Sequence, residues 1–415
     1  MNRRAAIGAI ASLALARCAP AGPAVAPLDE AAEAYVRAAL RLAQHQPRLV
    51  EGWRGPAAWA PGPREPVAGT VAAIEALLGT LEPIAAAGGE DAPRARYLLS
   101  QTRALFLAGR RLLGQSMPVA MEAQIGFGRA MPPADVLLAL SARDALDQRL
   151  PGRGPLGPRL QAYRREELVP ADRVEAVCAQ ALAICRDRTR AALTLPEGEQ
   201  AAVRLVDPLP WDGFCRYEGG GRSTIEINGA AALPLSRVLR LAAHEGYPGH
   251  HVQHVVTEAA LVEGRGWMEF ALQPAFGPHL LLAEGAAEAG VDLVLPDDAR
   301  ERVYAEALLP AAGLDPARAA DMVAIERLAL DMEARIPEIL AEYLDGRVSG
   351  EQAIEQLAEQ TLVADPRAFL PFAERQRATL YAYPVGRDLV WAAVNADGPA
   401  GAWRALDALY RRWQL

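Results

Sequence analysis

Four of the six histidines in this 415-residue chain fall between residues 244 and 254, in the run His244-Glu245-Gly246-Tyr247-Pro248-Gly249-His250-His251-Val252-Gln253-His254. Neutral imidazole is the commonest metal ligand in proteins. A His-Glu step followed a turn or so later by histidine is the arrangement of zinc hydrolases. There two histidines hold the ion while the intervening glutamate, off the ligand face, works on a bound water. The spacing here differs from HExxH. On a straight helix at about 100° per residue, His250 stands roughly 600° beyond His244, on nearly the opposite face. The helix must be interrupted between them, and Pro248 and Gly249 are the residue types that interrupt helices. Two other pairings stay open: His244 with His251, on one face but about 10 Å apart along a straight axis, and His250 with His254 at i,i+4. Only the His244/His250 pair leaves Glu245 beside the metal as a general base.

A third ligand is needed. The downstream segment HLLLAEGAAEAGVDLVL is apolar except for Glu284, Glu288 and Asp292, which recur at i,i+4 on one helical face. Carboxylates on a buried stripe are costly unless paired or bound to a metal. Glu284 is therefore the expected third ligand, and Glu288 the expected partner that orients a ligand histidine. The alternative is a stripe that simply faces solvent.

These residues must be positioned by a mostly helical chain. Amphipathic runs cover roughly 28–43, where Asp29 can cap the first helix, and then 66–86, 91–113, 133–149 and 171–194. PGRGPLGPR, at residues 151–159, fits GxGxxG, but no apolar strand precedes it, so it reads as a loop. Strand character is confined to GFCRYEGGGRSTIEIN, a hairpin turning at Gly219–Gly221, whose last strand ends at Asn228. After it the pattern is helical to Leu415, with breaks near Pro274, Pro310, Gly346, Pro371 and Pro384. The expected class is mostly α with a small antiparallel sheet beside the active-site helix. Residues 28–200 form an N-terminal helical region and 201–415 a catalytic helical region, in one unit.

Composition prunes the alternatives. The chain has no lysine; all 43 basic residues are arginine, against 51 acidic ones, for a net charge of −8. Lysine-dependent chemistry is absent: no P-loop, no Schiff base, no Ser–Lys dyad. An acidic chain without an arginine stripe also lacks the footprint of a nucleic-acid binder. Cys178 and Cys185, seven apart on one helix, are too distant for a disulfide and read as core residues. Residues 1–27 carry Arg3 and Arg4, an apolar run, Ala14-Leu15-Ala16 and a Pro/Ala stretch, which is the layout of a bacterial export signal. Cys18 offers a lipid anchor, so the mature chain is expected in the periplasm or tethered to the envelope. No later stretch is read as a membrane span.

HEGYPGHHVQ with the later Ala283-Glu284-Gly285 resembles the bacterial family catalogued as domain of unknown function 885, whose members are similar to mostly helical gluzincin metallopeptidases. The strand ending at Asn228, and Tyr383 three residues before Gly386, match the same pattern. Residues 286–288 and Pro384 depart from it, replacing the usual aromatics and lysine. The resemblance implies one zinc per chain on His244, His250 and Glu284, with Glu245 as general base and Tyr383 donating to the oxyanion.

The expected function is an exported zinc peptidase acting on short peptides, or a zinc amidase or esterase on a non-peptide substrate with the same ligands. A non-catalytic metal- or peptide-binding envelope protein is the reading from another class. The edge Thr224–Asn228 is expected to hold an extended peptide by strand addition, with Asn228 and His251 as substrate contacts. Arg387, in the first turn of a C-terminal helix where the dipole disfavours it, is a candidate for capturing a terminal carboxylate; an ion pair with Asp388 is the alternative.

Overall fold

A computed structural model describes residues 27–207 and 211–413. The export segment and Cys18 lie outside the described residues. The first three helices, α1 (Pro27–Ala43), α2 (Val67–Ala86) and α3 (Ala92–Leu112), pack on one another. α2 is long and apolar enough to cross a membrane by composition, yet Ile74, Leu77 and Leu81 are buried among the other two helices. There follow α4 (Val119–Phe127), α5 (Val136–Arg149), α6 (Leu156–Arg165) and α7 (Val174–Ala192). Asp29 lies inside the first turn of α1, which begins two residues earlier than a cap at Asp29 requires, and its Oδ1 accepts from Arg94 Nη1 at 2.5 Å. Gly152 and Gly154 sit in a turn, but Gly157 already belongs to α6.

The strands are β1 (Val50–Trp53), β2 (Gln200–Val206), β3 (Gly213–Gly219), β4 (Arg222–Asn228) and β5 (Leu272–Pro274). β3 and β4 form the expected antiparallel hairpin, turning through three glycines with positive φ. The sheet is nevertheless mixed, because β2 adds in parallel along the whole of β4, from Gln200 opposite Arg222 to Val206 opposite Asn228. β4 is thus the central strand. Its backbone groups are paired on both sides, so peptide capture by strand addition at Thr224–Asn228 is ruled out. The alternation Ala201, Val203, Leu205 carries the period-2 signal of β2, and a chain register of this kind is visible only once the partner is known. β1 pairs antiparallel with β5, tying the N-terminal helices to the second half of the chain.

That second half contains α8 (Leu235–Leu241), α9 (His250–Thr257), α10 (Gly277–Val294), α11 (Asp297–Val303), α12 (Leu309–Ala312) and α13 (Ala319–Glu333). It ends with α14 (Ile336–Leu344), α15 (Gly350–Gln360), α16 (Pro366–Gln376), α17 (Pro384–Val394) and α18 (Pro399–Arg412). Pro371, expected to break the chain, lies within α16, which continues to Gln376 before Arg377 takes φ 49°. The fold is mostly α with small sheets, and one buried apolar core runs from Leu28 in α1 to Trp413 beyond α18. Cys178 and Cys185 are buried in it as free thiols.

α10 is the axle of the fold. Leu280, Leu281, Ala286, Ala287 and Val291 are buried, and so are Glu284 and Glu288, which continue the i,i+4 row of Leu280. A helix apolar nearly all round belongs in a core, and α10 packs against α3, α4, α7, α9, α17 and α18. Its approach to α17 is backbone on backbone. A Cβ added at Gly285 would stand 2.4 Å from the carbonyl carbon and oxygen of Gly386, and one at Gly386 would stand 2.6 Å from the Leu281 carbonyl oxygen. Replacing Gly285 by Ala should therefore cost about 1–3 kcal/mol through overpacking. Urea unfolding measures this, and an unchanged midpoint would show that the two helices do not meet there.

Candidate metal centre

The site begins with a break in a helix. α8 runs into a π-helical turn, Ala242–Gly246, closed by Tyr247 N–H donating to the Ala242 carbonyl at 3.2 Å. Gly249 N–H donates back to the Ala243 carbonyl at 3.0 Å, and α9 starts at His250. The doubling back is so tight that a Cβ on residue 249 would stand 1.8 Å from the His244 carbonyl oxygen. Only glycine fits. The result is that His244 and His250, which a straight helix would point apart, have ring centroids 4.8 Å apart with planes at 85°.

Both rings turn Nε2 toward α10. Glu284 Oε2 lies 3.3 Å from His244 Nε2 and 3.7 Å from His250 Nε2. Zinc ligands at 2.0–2.2 Å in a tetrahedron stand about 3.4 Å from one another, so these two separations are those of tetrahedral edges. Glu284 Oε2 is buried and accepts no hydrogen bond. The opposite ring nitrogens are occupied. Glu288 Oε1 is 3.1 Å from His244 Nδ1, and Arg240 Nη2 in turn donates to Glu288 Oε2. Gln253 Oε1 is 3.1 Å from His250 Nδ1. With acceptors on both Nδ1 atoms, the Nε2 lone pairs are the ones left to face an ion. Glu245 is buried next to them, and one donor atom each from His244, Glu245 and His250 falls within 4.8 Å of the others.

The electrostatics are those of a site short of positive charge. Burial opposes the charge on Glu284, but His250 and His244 outweigh it and hold the carboxyl at about 2. Burial likewise works against a charged His244, yet the Glu284 and Glu288 carboxylates raise it to about 10. A fourth acid, Glu51 on β1, keeps an accessible side chain, yet desolvation by the protein around it, and then repulsion from Glu284, push it up to about 7, with His250 opposing. The Tyr383 phenol is pushed well above its ordinary value by Glu284 first, then by burial and by Glu51, Glu245 and Glu288. Its side of the site is open, since Tyr383 is 37% exposed. Glu51 stands nearly two hundred residues before the histidines, and no spacing in the sequence points to it.

The remaining expected residues lie elsewhere. His251 is fully buried, with Nδ1 2.7 Å from Ser223 Oγ and Nε2 2.7 Å from Glu199 Oε2. It is a structural residue, so both the substrate contact and the His244/His251 pairing are corrected. His254 accepts from Gln273 Nε2 and stacks on Tyr217, and burial keeps it neutral. Asn228 Oδ1 accepts from Ala230 N–H at 3.1 Å, closing the turn after β4 rather than offering a peptide edge. Arg387 Nε donates to Asp388 Oδ1 at 3.0 Å, which is the ion-pair alternative and leaves no argument for its capturing a substrate.

The Glu199 cluster braces the break from behind. Its carboxylate accepts from His251 Nε2, Tyr247 Oη and Arg190 Nε, each at 2.7 Å. Burial opposes its charge, but these bonds prevail and lower it from 4.5 to about 2. A depressed carboxyl stabilises the fold fully above its unfolded value and loses that stabilisation as pH falls toward the folded one. Stability should therefore drop by about 3 kcal/mol as pH falls from 4.5 toward 2 on account of this group. Urea unfolding of wild type against Glu199→Gln tests it: the acid-limb difference should vanish in the variant, and parallel curves would refute the cluster.

No family model and no curated protein matches the chain. Among solved structures it is similar to a candidate lipoprotein of unknown function from Shewanella oneidensis, at 12% identity over 83% of this chain and 72% of that one, with a TM-score of 0.43.

Proposed function

We infer that this chain is a zinc-dependent hydrolase of amide bonds in short peptides, holding one zinc on His244, His250 and Glu284. The observation that carries the reading is the buried Glu284 Oε2, which accepts no hydrogen bond while two imidazole Nε2 atoms face it at tetrahedral-edge distances. Two histidines and one glutamate are a donor set of catalytic rather than structural zinc, which leaves one coordination position open. Bound there, zinc would act as a Lewis acid toward the scissile carbonyl and lower the pKa of water toward neutrality.

The chain's own groups do the rest. Glu245, buried beside both histidines, accepts the proton of the attacking water and returns it to the leaving amine. Tyr383 keeps its phenol proton among the carboxylates and donates it as a hydrogen bond to the carbonyl oxygen as charge develops there. Glu288 and Arg240 hold His244 in one orientation, and Gln253 holds His250. The resemblance to the domain-of-unknown-function-885 family and its gluzincin-like members supports the same assignment. The apolar segment after Arg3 and Arg4 supports action outside the cytoplasm, with Cys18 as the lipid attachment point.

Purified protein should contain about one zinc per chain, and His244→Ala should lose it. Glu245→Gln should keep the metal and lose turnover of a mixed peptide library by about three orders of magnitude or more, because the amide cannot take the water's proton. Metal analysis and mass spectrometry of the library read both outcomes. Full activity in metal-free protein, or in Glu245→Gln, would overturn the assignment.

A further inference from the structure

A cavity of about 430 Å³, a size suited to a small ligand, is lined by residues from the same chain segments that carry Glu51, Glu284 and Tyr383. Its floor is apolar, formed by Leu49, Ala104, Ala108, Phe127, Phe276 and Ala378. Its charged wall is unlike the rest of this acidic chain. Arg48, Arg111 and Arg375 line it against a single acid, Glu122. Glu122 is already shared between Arg111, at 3.1 Å, and Arg377, at 2.8 Å. Arg48 lies over the Trp211 ring and has no ion-pair partner among the described residues, and neither does Arg375. Arg48, resting on the Trp211 ring, and Arg375 thus carry guanidinium groups with no salt bridge among the described residues, and such groups are the donors that recognise a carboxylate.

Three separate elements run from the cavity to the metal centre, each over a short chain advance. Leu49, the last residue of a 3-10 turn, lines the cavity, and Glu51 on β1, which interacts electrostatically with Glu284 and His250, follows two residues later, at most about 7 Å away. Gly277 lines it at the start of α10, and Glu284 follows seven residues later, about 10 Å along a helix. Thr379 lines it, and Tyr383 comes four residues later, about 8 Å along a 3-10 turn. An extended peptide advances about 3.4 Å per residue, so the span corresponds to two or three residues.

We propose that this cavity receives the C-terminal end of the substrate: an apolar side chain fills it, and the free terminal carboxylate is held by Arg48 and Arg375, two to three residues beyond the cleaved bond. This rests on the hydrolase reading for its chemistry but makes a binding claim of its own. It assigns the chain to short peptides with an apolar residue near a free C-terminus.

The test uses the full chain carrying Glu245→Gln, so that bound peptide is not consumed. Its probes are acetyl-Ala-Ala-Phe-Leu with a free carboxylate and the same peptide as its C-terminal amide, titrated calorimetrically. The acid should bind at least about tenfold more tightly than the amide, a preference the Arg48→Ala/Arg375→Ala double variant should abolish without changing amide affinity. Both arginines are at the surface, and a matching unfolding midpoint confirms that the variant folds. Equal binding of acid and amide, binding of neither, or a preference that survives the double substitution would overturn the proposal. A preference that persists after chelation, in a protein whose wild type hydrolyses neither peptide, would sustain the cavity assignment and overturn the hydrolase reading instead.

Discussion

Where the chain doubles back at Gly249, a hydrogen atom stands in the place that any side chain would need, against the carbonyl oxygen of His244. The six-residue spacing of His244 and His250 becomes usable only because of that contact. The π-helical turn before it spends residues without advancing a full α-helical turn, and the new helix starts at His250 with its ring already facing the first. α10 then passes close enough for a Cβ at Gly290 to meet the Pro248 ring at 3.0 Å. The helix that carries Glu284 is thereby docked on the break itself, while Gly285 docks it on α17 and so brings Tyr383 to the same place.

The acidic stripe of α10 shows how a buried carboxylate acquires its role from what surrounds it. Asp292 meets the guanidinium groups of Arg300 and Arg327. Glu288 meets Arg240 and the Nδ1 side of His244. Glu284 meets no arginine, only the two Nε2 atoms that would share an ion with it. A carboxylate in a core needs compensation, and along this one stripe it comes from two arginines, then from one arginine and an imidazole, then from imidazoles alone.

His250 and His251 are neighbours in sequence and opposites in environment. His250 faces the open side of the site with Glu284, while His251, one residue and about 100° further round the helix, points into the sheet side and is bonded to Ser223 and Glu199. Tyr247, from inside the break, joins the same Glu199. The second histidine of the pair thus ties the break to β4 and to the residue that leads into β2, so the break between His244 and His250 is braced by a polar cluster that includes neither of them.

The residue types at 244–250, the helix-breaking Pro-Gly between them and the i,i+4 spacing of Glu284 and Glu288 could be read without a structure. Each is a local pattern whose geometry a helix imposes over a few residues. The mostly helical class was legible for the same reason, from periodicity. The parallel addition of β2 to β4, which removes the expected peptide edge, depends on a pairing across about twenty residues that no local pattern records. The fate of His251 was equally hidden, because it is decided by Glu199, far off in sequence, whereas Arg387 pairs with its neighbour Asp388, one of the two readings its sequence offered, and Asn228 closes a local turn. Glu51 and the cationic cavity come from chain segments far from the motif in sequence. Only tertiary packing, through β1 against β5 and α10 against α17, sets them beside it, since electrostatic and steric environment is a property of distance in space and not of position in the chain.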